Sequence, residues 1–127
     1  MRKNILTNTP WETIVGYSRA VKIGNFIYIS GTTATDKTGQ IISTNPYEQT
    51  VQIIQNIETA LQTVGASLKD VVRTRIYVTN IEDWEQIGKA HSTFFGEIKP
   101  ASTMVEVKRL VSPKMLVEIE ADAYISE

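Results

Sequence analysis

The run from Leu116 to Ile125 sets Glu118, Glu120 and Asp122 at alternate positions. Alternate residues of an extended chain share one face about 7 Å apart, so the three carboxylates form a row. Such a row can hold a cation or act as an acid pair, although solvated or interface-paired carboxylates are the commoner outcome. The other side chains able to do chemistry are few. His91 is the single histidine and there is no cysteine, which excludes thiolate catalysis, disulfides and cysteine-ligated metals. Because His91 falls on the apolar stripe of a helical pattern, a packed helix residue is expected and no metal is assigned. Ser30 has no histidine near it in sequence, which argues against a serine nucleophile.

The elements that position the acidic row can be read from periodicity. Val117, Ile119, Ala121, Ala123 and Ile125 lie opposite the acids, so one face of this strand packs on a core and the other meets solvent, a partner or a ligand. Tyr17–Ile23 and Phe26–Ser30 alternate about Gly24-Asn25 and predict a hairpin, with a short further strand at Gln40–Ile42. Asn45-Pro46-Tyr47-Glu48 predicts a helix start, with Asn45 capping and Glu48 reaching back. Tyr47, Val51, Ile54, Ile57, Leu61 and Val64 form its apolar stripe, with Gln49, Gln52, Gln55 and Gln62 off it and Gly65 ending it. Val71–Val78 predicts a strand in which Val72, Thr74, Ile76 and Val78 oppose Val71, Arg73, Arg75 and Tyr77. A second helix is expected from Asn80 to Gly96, with Trp84 on its apolar stripe, and a strand from Ser102 to Leu110. Trp11 is expected to pack, and the first fifteen residues read only as an extended or turning lead-in.

The result is one α+β domain over residues 1–127, a mixed sheet with two helices on one face. The bare face is expected to carry Glu118, Glu120 and Asp122 together with Ser102, Met104 and Glu106, and to serve subunit assembly. Thirteen basic against fourteen acidic residues give a net charge of −1 with no run of one sign, which disfavours a nucleic-acid partner. No stretch is apolar enough for a signal peptide or a membrane span, so a soluble, cytoplasmic chain is expected.

Several blocks in order carry a resemblance. Tyr17-Ser18-x-Ala20-Val21, Ile29-Ser30-Gly31, Gly65-Ala66-Ser67-Leu68-x-Asp70-Val71-Val72, Phe94-Phe95-Gly96, Lys99-Pro100-Ala101 and Val117-Glu118-Ile119-Glu120-Ala121 resemble the RidA/YjgF family along nearly the whole chain. The resemblance implies a chorismate-mutase-like fold, a barrel-like homotrimer, and inter-subunit clefts for small carboxylate-bearing ligands. It also implies cofactor-free hydrolysis of enamines and imines to 2-oxo acids and ammonia. Some members are described as ribonucleases, a reading the near-neutral charge does not favour.

Residue by residue, Tyr17, Ser30 and the adjoining Gly31 match the family's cleft positions, and Glu120 matches the group that positions the attacking water. The family's arginine is missing: Pro100-Ala101-Ser102-Thr103 stands where deaminating members read Pro-Ala-Arg-Ser/Thr. Ser102 offers one neutral donor in place of a charged fork. Gly88 in place of Asn, and Val15-Gly16 in place of Gly-Pro, depart in the same direction. Either another cation holds the carboxylate, Arg75 first and Arg19 second, or the cleft has lost carboxylate recognition and takes, or only binds, another small molecule. The latter is the expectation, because a strand arginine is more often ion-paired, here with Glu106 or Glu118.

Overall fold

The computed structural model describes residues 1–126. In chain order the elements are β1 (Arg2–Ile5), α1 (Pro10–Val15), β2 (Ala20–Ile23), β3 (Phe26–Thr32), α2 (Pro46–Gln62), β4 (Val71–Val78), α3 (Trp84–Phe95), β5 (Ala101–Glu106) and β6 (Val117–Tyr124). The strands form a single six-stranded sheet ordered β1-β2-β3-β6-β4-β5. Every pairing is antiparallel except β4–β5, whose parallel register is reached through α3.

Alternation decides what each strand buries. Val117, Ile119, Ala121 and Ala123 of β6, Ile27 and Ile29 of β3, and Ile76 and Val78 of β4 are buried against Ile53, Ile54, Ile57 and Leu61 of α2 and Ile87 and Phe95 of α3. Both helices therefore cover one face, as the α+β pattern implies. Asn45 caps α2 by accepting from the Glu48 N–H at 3.0 Å. Glu48 does not reach back to Asn45. Ser43 intervenes, its hydroxyl donating to Glu48 and accepting from the Asn45 N–H.

Other expectations are corrected. Gln49, placed off the apolar stripe, is fully buried. Its amide donates to the carbonyls of Ser43 and Lys114 and accepts from the Leu116 N–H, so a polar residue takes a core position by holding three backbone groups. A bulge between Val71 and Arg73 shifts the alternation of β4, burying Val71 and leaving Val72 52% exposed. β2 begins at Ala20 rather than Tyr17, because the groups of Ser18 go to side chains: its hydroxyl accepts from Asn4 and its carbonyl from the Ser30 hydroxyl. Gln40–Ile42 contributes only an isolated bridge, Thr35 to Ile41. Trp11 and Trp84 are 51% and 56% exposed and do not pack.

The lead-in is not irregular. β1 pairs along β2, and α1 is held by Glu12, a buried carboxylate that accepts from the Thr7 N–H and from the hydroxyls of Thr7 and Thr9. Burial pushes the Glu12 carboxyl up, but these hydrogen bonds and the nearby charge of Arg19 outweigh it and hold the group below the ordinary carboxylate value.

Candidate functional site

The uncovered face of the sheet carries the acidic row. Glu118, Glu120 and Asp122 lie across from Tyr77, Arg75 and Arg73 of β4. Arg75 bridges Glu120 and Asp122 at 3.4 and 3.3 Å, not Glu106 or Glu118. Tyr77 donates its phenol to Glu120 at 3.2 Å. Burial and the charge of Glu120 raise the Tyr77 pKa, which keeps the phenol a donor at neutral pH. Glu120 is thus held from two sides.

Towards β3 this face opens into a broad trough lined by Tyr17, Arg19, Ser30, Gly31, Glu118 and Glu120, with the Val111–Met115 loop across it. Four of the residues matched in sequence, Tyr17, Ser30, Gly31 and Glu120, meet here. Ser30 donates its hydroxyl to the Ser18 carbonyl at 2.6 Å, leaving its oxygen as an acceptor only. Gly31 covers Glu118: a Cβ at position 31 would fall 2.2 Å from Glu118 Oε2. Glu118 makes no hydrogen bond or ion pair among the described residues. Burial raises its pKa, opposed by Arg19 and reinforced by Glu120.

Arg19 is fixed above Tyr17, its guanidinium 5.6 Å from the ring centre. Its Nη1 donates to the Gly31 carbonyl at 2.7 Å and to Thr32 Oγ1 at 3.1 Å, and Nη2 donates to the Tyr17 hydroxyl at 3.3 Å. The predicted alternation put Tyr17 and Arg19 on one side, and that signal located the pair although Arg19 ranked second. The sequence pattern marks Glu118 as a solvated or interface-paired acid, or a partner of Arg75, and nothing in that pattern announces the cover supplied by Gly31.

Ser102, Met104 and Glu106 are not on the bare face. The parallel register puts Ser102 beside Thr74 and Met104 beside Ile76, on the side covered by helices, while Thr103 and Val105 line a shallow depression with Arg75 and Tyr77 on the bare side. The expectation fails because β5 pairs in parallel with β4, which fixes Ser102, Met104 and Glu106 to the side of Thr74, Ile76 and Val78. Thr74, fully buried, donates to Ser102 Oγ at 2.8 Å and lies 3.0 Å from His91 Nε2. With Thr74 donating to Ser102, the ring N–H of His91 donates to Thr74. Ser102 and Glu120 of one chain therefore stand on opposite faces of the sheet. Among the described residues no three His, Asp or Glu side chains are grouped to hold a metal ion, and no helix is long and apolar enough to cross a membrane.

Burial pushes His91 below its ordinary value of 6.5. The unfolded chain then takes up a proton at a pH where the folded one resists it, so this contribution is complete above pH 6.5 and is lost as pH falls through the folded value. Urea midpoints measured from about pH 7 to about pH 5 are expected to fall for the native chain and to fall less for His91→Gln. Parallel slopes would refute the assignment.

Residues 7–125 match the family model described as Endoribonuclease L-PSP. The chain belongs to the RidA/YjgF family. A RutC family protein of Pyrococcus abyssi is 43% identical over 122 residues, covering 94% of each chain. A crystal structure of a YjgF/YER057c/UK114 family member from Mycobacterium tuberculosis superposes with a TM-score of 0.91 at 45% identity, over 98% of this chain and all of that one. RidA from an Antarctic Psychrobacter gives a TM-score of 0.81 at 34% identity, over 86% of this chain and 88% of that one. As a RidA/YjgF protein the chain has the mixed α+β fold of its structural relatives, one six-stranded sheet with two helices over one face.

Proposed function

We propose that the chain is a cytoplasmic, cofactor-free homotrimer that takes a small metabolite into clefts between subunits and hydrolyses an enamine, an imine or a related C=N compound. The observation that carries this is the convergence of Glu118 and Glu120 with Tyr17, Ser30 and Gly31 in one trough. Glu120, held by Arg75 and Tyr77, accepts a proton from water as the oxygen bonds to the C=N carbon, and returns it to the nitrogen. The hydroxyl proton of the adduct then passes to the nitrogen by way of the same carboxylate, and the C–N bond breaks as the carbonyl forms and ammonia leaves. Assembly is favoured by the uncovered face, where Phe26, Tyr28 and Val105 are 51%, 49% and 42% exposed beside the acids. Light scattering is expected to give three times the chain mass across micromolar dilution; a monomer would refute the assembly.

The chemistry is tested with 2-imino acids generated by an amino-acid oxidase and trapped with semicarbazide. The native chain is expected to accelerate hydrolysis, and Glu120→Gln to lose roughly a hundredfold or more of that rate. A second reading, a metabolite-sensing trimer without turnover, is favoured by the neutral Ser102. Ser102→Arg separates the two. If only that variant turns over, the water-activating half of the site is intact and the natural ligand is a different C=N compound. Silence from native and variant alike, with both folded, leaves the sensor.

A further inference from the structure

We infer that Arg19 is the anion-holding group of the trough, taking the place of the arginine absent at position 102. The inference rests on the proposed cleft but concerns binding, not turnover. Arg75, the first alternative, is committed to Glu120 and Asp122. Arg19 makes no ion pair among the described residues, although it lines the same trough.

Its geometry suits the task. A guanidinium has five N–H donors, and Arg19 directs three of them to Gly31, Thr32 and Tyr17. Those bonds fix the plane of the group. They leave Nε–H and one Nη2–H, the adjacent pair that forms two parallel bonds to a carboxylate. The acceptors holding Arg19 are neutral, so they orient the cation without cancelling its charge. Two acids bear on this position through space and not through contact, Glu118 from β6 and Glu12 from α1; Glu12 is already taken up by Thr7 and Thr9, which leaves Glu118 facing the trough. Lys37 and Lys114 also line the trough but sit on its loops, and neither is fixed by an ion pair among the described residues.

The ligand class is a small carboxylate with a hydrogen-bond donor on the neighbouring atom, the carboxylate on Arg19 and the donor facing Glu118. A carboxylate moved from the edge-strand position to Arg19 enters the cleft from the β2–β3 side. The specificity of this chain then depends on residues 17–32 of the same chain that supplies Glu120.

The test is calorimetric titration of the assembled protein with 2-hydroxybutyrate, a carboxylate with a hydroxyl donor on the neighbouring carbon that cannot be turned over by imine hydrolysis. The native protein is expected to bind it, Arg19→Gln to bind roughly tenfold or more weakly, Arg19→Lys to recover part of the loss, and Lys69→Gln, an exposed lysine away from the trough, to match the native. Thermal unfolding checks that each variant folds. Equal binding by native and Arg19→Gln overturns the inference, as does failure of the native protein to bind at millimolar concentration. Arg19-dependent binding without any imine hydrolysis upholds it while removing the proposed catalysis.

Discussion

Gly31→Ala is expected to fold within about 1 kcal/mol of the native chain and to lose at least about tenfold in ligand binding or turnover. The added methyl would lie 2.2 Å from Glu118 Oε2 and 3.0 Å from its Cδ. Gly31 is not among the glycines with positive φ, so the constraint is space and not backbone conformation. What yields is the end of a flexible side chain, which moves at little cost to the fold but takes the carboxylate from beneath residue 31. The test is a double-mutant cycle with Glu118→Ala, measured by 2-hydroxybutyrate titration. Alanine at 31 should matter little once Glu118 is gone; a full effect in both backgrounds would mean that Gly31 acts through something else. Glu118→Gln supplies a sign. A carboxyl whose folded pKa is raised contributes stability below its unfolded value of 4.5 and loses it as pH rises through the folded value, so the neutral amide should be the more stable form at pH 7 to 8, to be read as a higher melting temperature.

Gln49→Met is expected to cost about 2–4 kcal/mol, a large share of the stability of a domain this size. Methionine keeps the volume but deprives the Ser43 and Lys114 carbonyls and the Leu116 N–H of their partners, at 3.0, 2.9 and 3.0 Å. Urea unfolding should show a lower midpoint at unchanged slope. A loss under about 1 kcal/mol would mean that water replaces the amide, contrary to its complete burial. The same bonds tie α2 to the loop through Lys114 and Met115 that crosses the trough, so the variant should also weaken ligand binding.

Much of the fold was legible because its signals are local. Asn45 and Pro46 mark the start of α2, Gly24-Asn25 the hairpin, and the alternation of β6 its buried face. The misreadings concern pairings with distant segments. The burial of Gln49 depends on the Lys114 carbonyl 65 residues away, the parity of β5 on a parallel partner, and the lead-in on β2. At the site, residue types and family pattern picked out Tyr17, Ser30, Gly31 and Glu120, which share the trough. Ser102 was placed on the wrong side, and the relation of Arg19 to Glu118 could not be read, because it arises only when β3 bends at its bulge to bring Gly31 over β6.

The position of β6 has a consequence for biosynthesis. The last strand of the chain lies between β3 and β4, so the hairpin of β2 and β3 and the β4–β5 pair have no direct edge in common until residues 117–124 are inserted. A nascent chain still lacking those residues holds two separate sheet fragments with unpaired inner edges, the kind of surface that chaperones shield. Closure of the sheet must therefore wait until β6 has left the ribosome, and a chain stopped before Val117 lacks both the strand that joins β3 to β4 and the carboxylates of the trough.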